Sequence, residues 1–393
     1  MDDAQAAHAL AYDDEDEYRP APEPVAQPAA WRDGSTRIGI HTSIAGDITS
    51  SLESARKLGC NALQIFSCSP RMWPRAGSRI AEADAERFRA RRTELGLGPL
   101  VIHTNYLVNL ASFDPVLRTR SIQTFHDEMV RALALGADFL VVHPGSAGGA
   151  TPSEAMQAVA QGLRQASRGI RFAGGDASHK TPDGTGRAPS SGLRVLIENT
   201  AGMGSAVGTR FEDLRAILDQ APELPLGVCL DTAHAFEAGY EIHTAAGLAQ
   251  TIADLDRSVG LGRVAVVHVN DSKTPLSSRV DRHEHIGRGK IGLAAFGRIL
   301  THPRLAAGGP GGLAGRAFIL ETPIDEPGDD RRNVRVVWEL AGLSAKQAPH
   351  AENGFSMLRA ATRTASTDGG KTEPAKKTSK RVKRTKETKK SRA

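Results

Sequence analysis

The chain is short of cysteine and of long apolar runs, and both shortages exclude function classes. Its 393 residues include 3 cysteines, Cys60, Cys68 and Cys229. They form no CxxC pair and are too scattered for a disulfide framework, which fits a reducing compartment. No apolar run reaches the roughly 18 residues that a membrane-spanning helix needs. The N-terminal stretch is acidic and rich in Ala and Pro, the wrong composition for a secretory signal or an Arg-rich transit peptide. A cytoplasmic protein with no membrane partner is expected. The first strand-like run is not followed by a GxGxxG, which a dinucleotide-binding sheet would want there.

Charge is present but unevenly placed. The formal net charge is +5. Residues 1–36 carry nine acids and two bases, residues 366–393 carry eleven bases and three acids, and 37–365 is left with a net +4. The DDEDEY run repels itself and APEPVAQP breaks any helix, so residues 1–35 are predicted to be disordered. Residues 346–393 have almost nothing apolar to bury and are predicted to be a disordered tail. Its basic part, 366–393, is expected to contact nucleic-acid phosphates. Two low-complexity blocks, 172–192 and 306–316, read as loop insertions. One folded domain is expected over 36–345, about 310 residues and ample for a core.

Inside that domain, eight short β-rich apolar runs alternate with helical patterns. The runs are Arg37–Ile40, Ala62–Phe66, Leu100–His103, Phe139–His143, Leu193–Glu198, Leu226–Asp231, Val264–Val269 and Ala317–Glu321. The helical patterns cover Ile48–Leu58, Ala81–Leu95, Thr119–Leu135, Pro152–Ser167, Phe211–Gln220, Ala245–Val259, Leu293–Leu300 and Asn333–Leu343. Near-continuous apolar strands suit a parallel sheet buried on both faces. The pattern predicts an α/β fold, a single (β/α)8 TIM barrel, with an open doubly wound sheet as runner-up.

The C-terminal ends of strands three to eight carry His103, His143, Glu198, Asp231, His268 and Glu321 in turn. In such a barrel that rim is the active-site face. Burying this much carboxylate without a cation is costly, and His with carboxylate suits divalent metals. Two local spacings add to the set. Asp231-x-x-His234 sets the two groups one turn apart, and Asp281-Arg-His283 puts two donors on one side of an extended segment. Nine candidates, five His and four carboxylates, suit two or three metals rather than one. Taken singly, each His is more simply a satisfied core residue, and each strand-end carboxylate an N-cap. Capping does not explain His at strand ends three, four and seven. His41 reads as rim lining, His126 as solvent-facing and Cys229 as core packing. His285 reads equally as a surface residue or as a support or phosphate contact.

The motifs IGIHTSIAG, LQIFSCSPRMW, HTNYLVNL, VVHPGS, IENTAGMGS, CLDTAHAFEAGY, HVNDSK, SRVDRHEHIGRGKIG and ILET resemble those of the endonuclease IV family of apurinic/apyrimidinic endonucleases. The resemblance runs from about Arg37 to Leu343. It implies three zinc ions per chain. One would sit on His103, His143 and Glu198. A second would take Glu198 as a bridge with Asp231, His268 and Glu321, and the third His234, Asp281 and His283. The implied activity is hydrolysis of the phosphodiester 5′ to abasic sites in double-stranded DNA, leaving a 3′-OH and a 5′-deoxyribose phosphate, with removal of 3′-blocking groups besides. Glu198 is the implied catalytic carboxylate. Arg71, Tyr106 and Leu107 match positions that read the gap left by a flipped abasic sugar. Two departures stand out: Arg288, where relatives often have an acid, and Pro70, which removes a polar group beside Arg71. The sequence leaves two alternatives open. One is a sugar isomerase or epimerase using only Glu198, Asp231, His268 and Glu321. The other is a non-enzymatic DNA-binding protein driven by the basic tail. The default expectation is a monomer, nucleoid-associated in a bacterium.

Overall fold

A computed structural model describes residues 36–172, 192–305 and 316–342. The first seven strands are β1 Arg37–His41, β2 Ala62–Phe66, β3 Leu100–His103, β4 Phe139–Val142, β5 Arg194–Glu198, β6 Leu226–Asp231 and β7 Val264–His268. A two-stranded antiparallel ribbon follows, β8 Asp271–Ser272 with β9 His283–Glu284, and then β10 Ala317–Leu320. Strands β1 to β7 and β10 close into a barrel, and every pairing in it is parallel. The helices are α1 Ser50–Lys57, α2 Glu82–Leu95, α3 Pro115–Ala134, α4 Pro152–Ala166, α5 Phe211–Gln220, α6 Thr232–Ala238, α7 Ala245–Ser258, α8 Leu293–Leu300 and α9 Asp329–Leu340. The expected TIM barrel is therefore what the chain forms.

Period-two alternation builds the barrel and loads its rim. Alternate strand residues such as Ile38, Ile40, Leu63, Ile65, Leu100 and Ile102 are buried in the large core that includes the helix residues. The intervening residues Ala62, Val101, Phe139, Val141, Leu196, Cys229, Val266, Ala317 and Ile319 belong to a separate inner core. Two residues further along each strand, on the same face, stand His103, His143, Glu198, Asp231, His268 and Glu321. An apolar inner layer thus supports an ionisable one. Gly39 belongs to the crowded interior: a Cβ there would lie 2.6 Å from the Ala62 backbone and 2.7 Å from Ile319. At the opposite end of the barrel, buried Arg92 and Asp138 pair with each other. The last helix is tied back by Trp338, whose Nε1–H donates to the Gly59 carbonyl at 3.1 Å.

Several bounds differ from expectation. Helix α3 starts at Pro115, not Thr119, because Asp114 caps it by accepting from Leu117 N at 2.7 Å and Pro115 sits where its missing N–H costs nothing. Helix α9 starts at Asp329, not Asn333, with Asp329 and Asp330 in its first turn. Strand β4 stops at Val142, so His143 lies just beyond it. Helix α6 and the β8–β9 ribbon were not expected; both are short, seven residues and two residues per strand. The tail predictions for 1–35 and 346–393 fall outside the described residues. So do the insertion at 172–192, apart from its end positions, and most of 306–316. Among the described residues no helix is long and apolar enough to cross a membrane.

Candidate metal centre

Four imidazoles at the rim share one arrangement. Each has one ring nitrogen against a neutral protein acceptor, and the other faces carboxylate. His103 Nδ1 donates to the Thr104 carbonyl at 2.8 Å, and its Nε2 lies 3.4 Å from Glu198 Oε2. His234 Nδ1 donates to the Asn199 carbonyl at 2.9 Å, and its Nε2 lies 3.2 Å from Asp281 Oδ2. His283 Nδ1 donates to the Glu321 carbonyl at 3.3 Å, while its Nε2 stands 3.6 Å from Asp281 and 3.7 Å from Asp231. His268 is reversed: Nε2 donates to Gln64 Oε1 at 2.9 Å, and Nδ1 faces Glu198 at 2.9 Å and Glu321 at 3.2 Å. His143 adds its Nε2 at 3.1 Å from Glu198 Oε2. A neutral imidazole that has donated one N–H presents a lone pair at its other nitrogen. Here those lone pairs face carboxylate oxygens, and only positive charge between them relieves the repulsion. Glu198 Oε2, His234 Nε2 and His283 Nε2 are accordingly buried without a hydrogen-bond partner.

The electrostatics say the same. Burial works against charge on His234, yet Asp231 and Asp281 push its pKa well above the ordinary imidazole range. Burial likewise opposes charge on His268, and Cys229, Glu321 and Glu198 together raise its pKa well above the ordinary range. Burial alone would raise the Glu198 carboxyl, but His268 and His143 hold it well below the usual range. The cluster demands cations, and protons or metal ions can supply them. At this rim the imidazole and carboxylate donors, leaving aside the Cys229 thiol beside Glu198 and His268, converge in three overlapping sets: His103, His143 and Glu198; Glu198, Asp231, His268 and Glu321; and Asp231, His234 and His283. Imidazole mixed with carboxylate suits zinc and its neighbours. Asp281 stands at the edge of the third set and joins it through His234 and His283. Asp231 is both a cap and a donor: Oδ1 accepts from His234 N at 2.7 Å to start α6, and Oδ2 faces His268 and His283.

The Xylose isomerase-like TIM barrel family matches residues 52–336. A protein from Solibacter usitatus named probable endonuclease 4 is 48% identical over 310 residues, covering 78% of this chain and 97% of that one. The crystal structure of endonuclease IV from Thermus thermophilus has a TM-score of 0.63 at 40% identity, covering 78% of this chain and 99% of that one. This chain belongs to the endonuclease IV family. A D-tagatose 3-epimerase-like structure, 17% identical with a TM-score of 0.54 and covering 78% of this chain and 98% of its own, shares the fold alone.

In this endonuclease IV family member, a cavity of about 320 Å³ opens over the centre, lined by His103, Tyr106, His143, His234, His283 and Glu321 among others. Glu198, Asp231 and His268 lie fully buried in the same cluster. Tyr106 is 57% exposed, its ring 5.2 Å from Phe66 and 5.7 Å from His103. Arg71 is exposed on the β2–α2 loop and does not line the cavity, and Leu107 is half-buried. Arg288 is exposed within the turn 287–292, where the amides of Gly287, Gly289 and Ile291 converge on buried Asp271.

His41 lines the rim as expected, 3.8 Å from Glu321. Cys229 is in the inner core, and burial pushes its thiol up to about 12. The surface reading of His285 is corrected: it is buried, with Nδ1 on Asn333 at 3.0 Å and Nε2 on Asp325 at 3.2 Å. Having partners for both nitrogens, it does not call for a metal despite the nearby Glu284. His126 is half-buried and bonds the Ala166 carbonyl at 2.8 Å rather than facing solvent.

Sequence reasoning missed three amides. Gln64 orients His268, and its Nε2 also contacts His41 and Glu321. Asn199 holds the Asp231 backbone, and Asn270 donates to Asp231 Oδ2 at 2.6 Å while accepting from Glu321 N. Asn199 and Asn270 were signalled only by adjacency to charged strand ends, in ENT and VND, and Gln64 only as the one polar residue of the run ALQIF.

Proposed function

We propose that this chain is a zinc-dependent AP endonuclease that hydrolyses the phosphodiester 5′ to abasic sites in duplex DNA. The products would be a 3′-OH and a 5′-deoxyribose phosphate, and 3′-blocking groups would be removed by the same chemistry. The observation that carries this reading is the set of imidazoles whose ring nitrogens face carboxylate oxygens at 2.9–3.4 Å, in a chain of the endonuclease IV family. Glu198 would bridge the His103–His143 pair to Asp231, His268 and Glu321. His234, Asp281 and His283, nearer the rim, would hold a third ion. Zinc bound there supplies a water acidified to a pKa of roughly 7 and positive charge beside the phosphate. In the overall hydrolysis a water oxygen would join phosphorus and the bond to the 3′ oxygen would break. That oxygen leaves as the hydroxyl, and the phosphate stays on the abasic sugar. No side chain forms a covalent bond, and no lysine lines the described cavity.

Tyr106 and Leu107 would fill the vacated base position, and Arg71 would reach phosphate or the opposed base. The sugar-isomerase reading uses four of the nine donors and leaves His103, His143, His234, Asp281 and His283 without a task. The deciding experiment is incision of a duplex carrying one synthetic abasic site, with and without a strong chelator. We expect a single 5′ incision, about three zinc per chain and loss of cutting with the chelator. An uncut duplex with fully zinc-loaded protein would falsify the proposal. The basic segment 366–393 would add non-specific DNA affinity. Deleting it should flatten the dependence of log K on log salt while incision persists at low salt. An unchanged slope would assign the tail no DNA contact.

A further inference from the structure

Asn105 sits two residues beyond His103, at the start of the β3–α3 loop, and is 2% exposed. It cannot touch DNA, yet each polar atom of its side chain bonds a rim loop. Nδ2 donates to the Ser69 carbonyl at 2.6 Å and to the Met72 carbonyl at 2.8 Å. Those two carbonyls bracket Arg71. Oδ1 accepts from Leu107 N at 2.8 Å. The next amide, Tyr106 N, donates to the Pro70 carbonyl at 3.1 Å. Behind it, the Asn105 amide itself is held by Glu128 Oε1 at 2.9 Å. One buried amide therefore joins the loop carrying Arg71 to the loop carrying Tyr106 and Leu107.

The rest of the β2–α2 loop is fixed separately. Asp127 accepts from Gly77 N at 2.9 Å, Arg131 bonds Ser78, and Arg120 lies over the Trp73 ring at 4.7 Å. These contacts hold the loop from Trp73 onward and leave its tip to the Asn105 side chain and the Tyr106 N–Pro70 carbonyl bond. The chemistry is narrow. An aspartate would set a carboxylate against two carbonyls. A serine would reach Leu107 N but not both carbonyls.

We infer that Asn105 is a positioning residue that sets how Arg71 faces Tyr106 and Leu107, and thereby how well abasic duplex is told from intact duplex. The inference rests on the reading of those three residues as lesion contacts. The test compares full-length Asn105→Ala, Asn105→Ser and Tyr106→Ala after zinc content is measured in each. The readouts are kcat and KM on abasic duplex, Kd for undamaged duplex of the same sequence, and hydrogen exchange of the loop amides. Asn105→Ala should raise KM for abasic duplex about tenfold, leave kcat within about twofold, and speed exchange of the Leu107 amide. Its Kd for undamaged duplex should not change. Asn105→Ser should restore slow exchange at Leu107 but recover only part of the KM. If selectivity survives Asn105→Ala and is lost in Tyr106→Ala, the positioning role is wrong and the lesion reading stands. If it survives both, the lesion reading is wrong and the inference falls with it. Loss of zinc in Asn105→Ala and Asn105→Ser would overturn it too, by assigning Asn105 to the support of His103.

Discussion

Glu198 and Glu128 are sealed from water to the same degree, each 0% exposed, and they carry opposite charge tendencies. Glu198 has His103, His143, His234 and His268 within 3.4 Å. Burial there favours the neutral acid, and the imidazoles, led by His268, overturn it. Glu128 stands on α3 behind the rim loops, with Asn105 N at 2.9 Å and Ser67 Oγ at 3.5 Å. Burial wins there, and the carboxyl is pushed up to about 7 despite Arg131 nearby. Glu237, which accepts from Ser272 Oγ at 2.7 Å and Arg282 N at 3.2 Å, is also pushed up to about 7 by burial. Exposure alone therefore says nothing about what a buried carboxylate does; its neighbours do. Among imidazoles already committed on their far side, it is ionised and calls for a cation. Among hydroxyls and backbone amides, it verges on neutral and organises loops.

The comparison breaks most visibly at Glu198. Glu198→Gln keeps the shape and removes the charge shared by two donor sets. Incision should fall on the order of 10³-fold or more, with zinc content reduced in the same preparation. Near-native activity and full zinc would mean that its company is incidental. Gln64 offers a smaller, sharper probe, because it orients the cluster without belonging to it. Gln64→Leu removes the acceptor that fixes the His268 ring and the donor to Glu321. Zinc affinity, measured by chelator competition, should weaken roughly 10–100-fold. An unchanged affinity would show that packing alone orients His268.

Much of the fold and the charged donors were legible in the sequence, for one physical reason. Period two along a strand places His103, Glu198, Asp231, His268 and Glu321 two residues beyond apolar residues that fill the barrel. A chain that alternates this way has nowhere else to put them. What stayed hidden was what alternation does not mark. Asn199 and Asn270 carry no charge, so nothing distinguished them from ordinary strand-end amides, and Gln64 is a lone neutral residue in the middle of an apolar strand. Asp127, Glu128 and Arg131 in α3 look like a solvated helix face, yet all three are buried because the β2–α2 loop folds over them. The partners of His285, Asn333 and Asp325, are about forty or more residues away, beyond the reach of local pattern. The start of α3 was legible in principle from Asp114-Pro115, and apolar periodicity pointed past it. Weighing cap against ligand at Asp231 posed a false choice, since Oδ1 caps α6 while Oδ2 stays free to face His268 and His283.

The smallest expected effect tests the neutral class itself. Between about pH 4.5, where an unfolded Glu titrates, and about 7, the folded chain keeps a proton on Glu128 that the unfolded chain has released. Folding binds a proton in that window, so this group's contribution to stability falls as pH rises through it and is level above. Glu128→Gln retains a carbonyl to accept from Asn105 N and has no proton to lose. Near pH 4.5 the variant and the native chain should be about equally stable. At pH 8 the variant should be the more stable, by on the order of 2–3 kcal/mol at most. Urea midpoints at pH 5 and pH 8 measure the difference, and zinc-linked effects common to both proteins cancel in it. A gap that stays constant or reverses at pH 8 would mean that folded Glu128 is ionised and paired with Arg131. It would then stand with Glu198 as a carboxylate whose neighbours, not its burial, fix its charge.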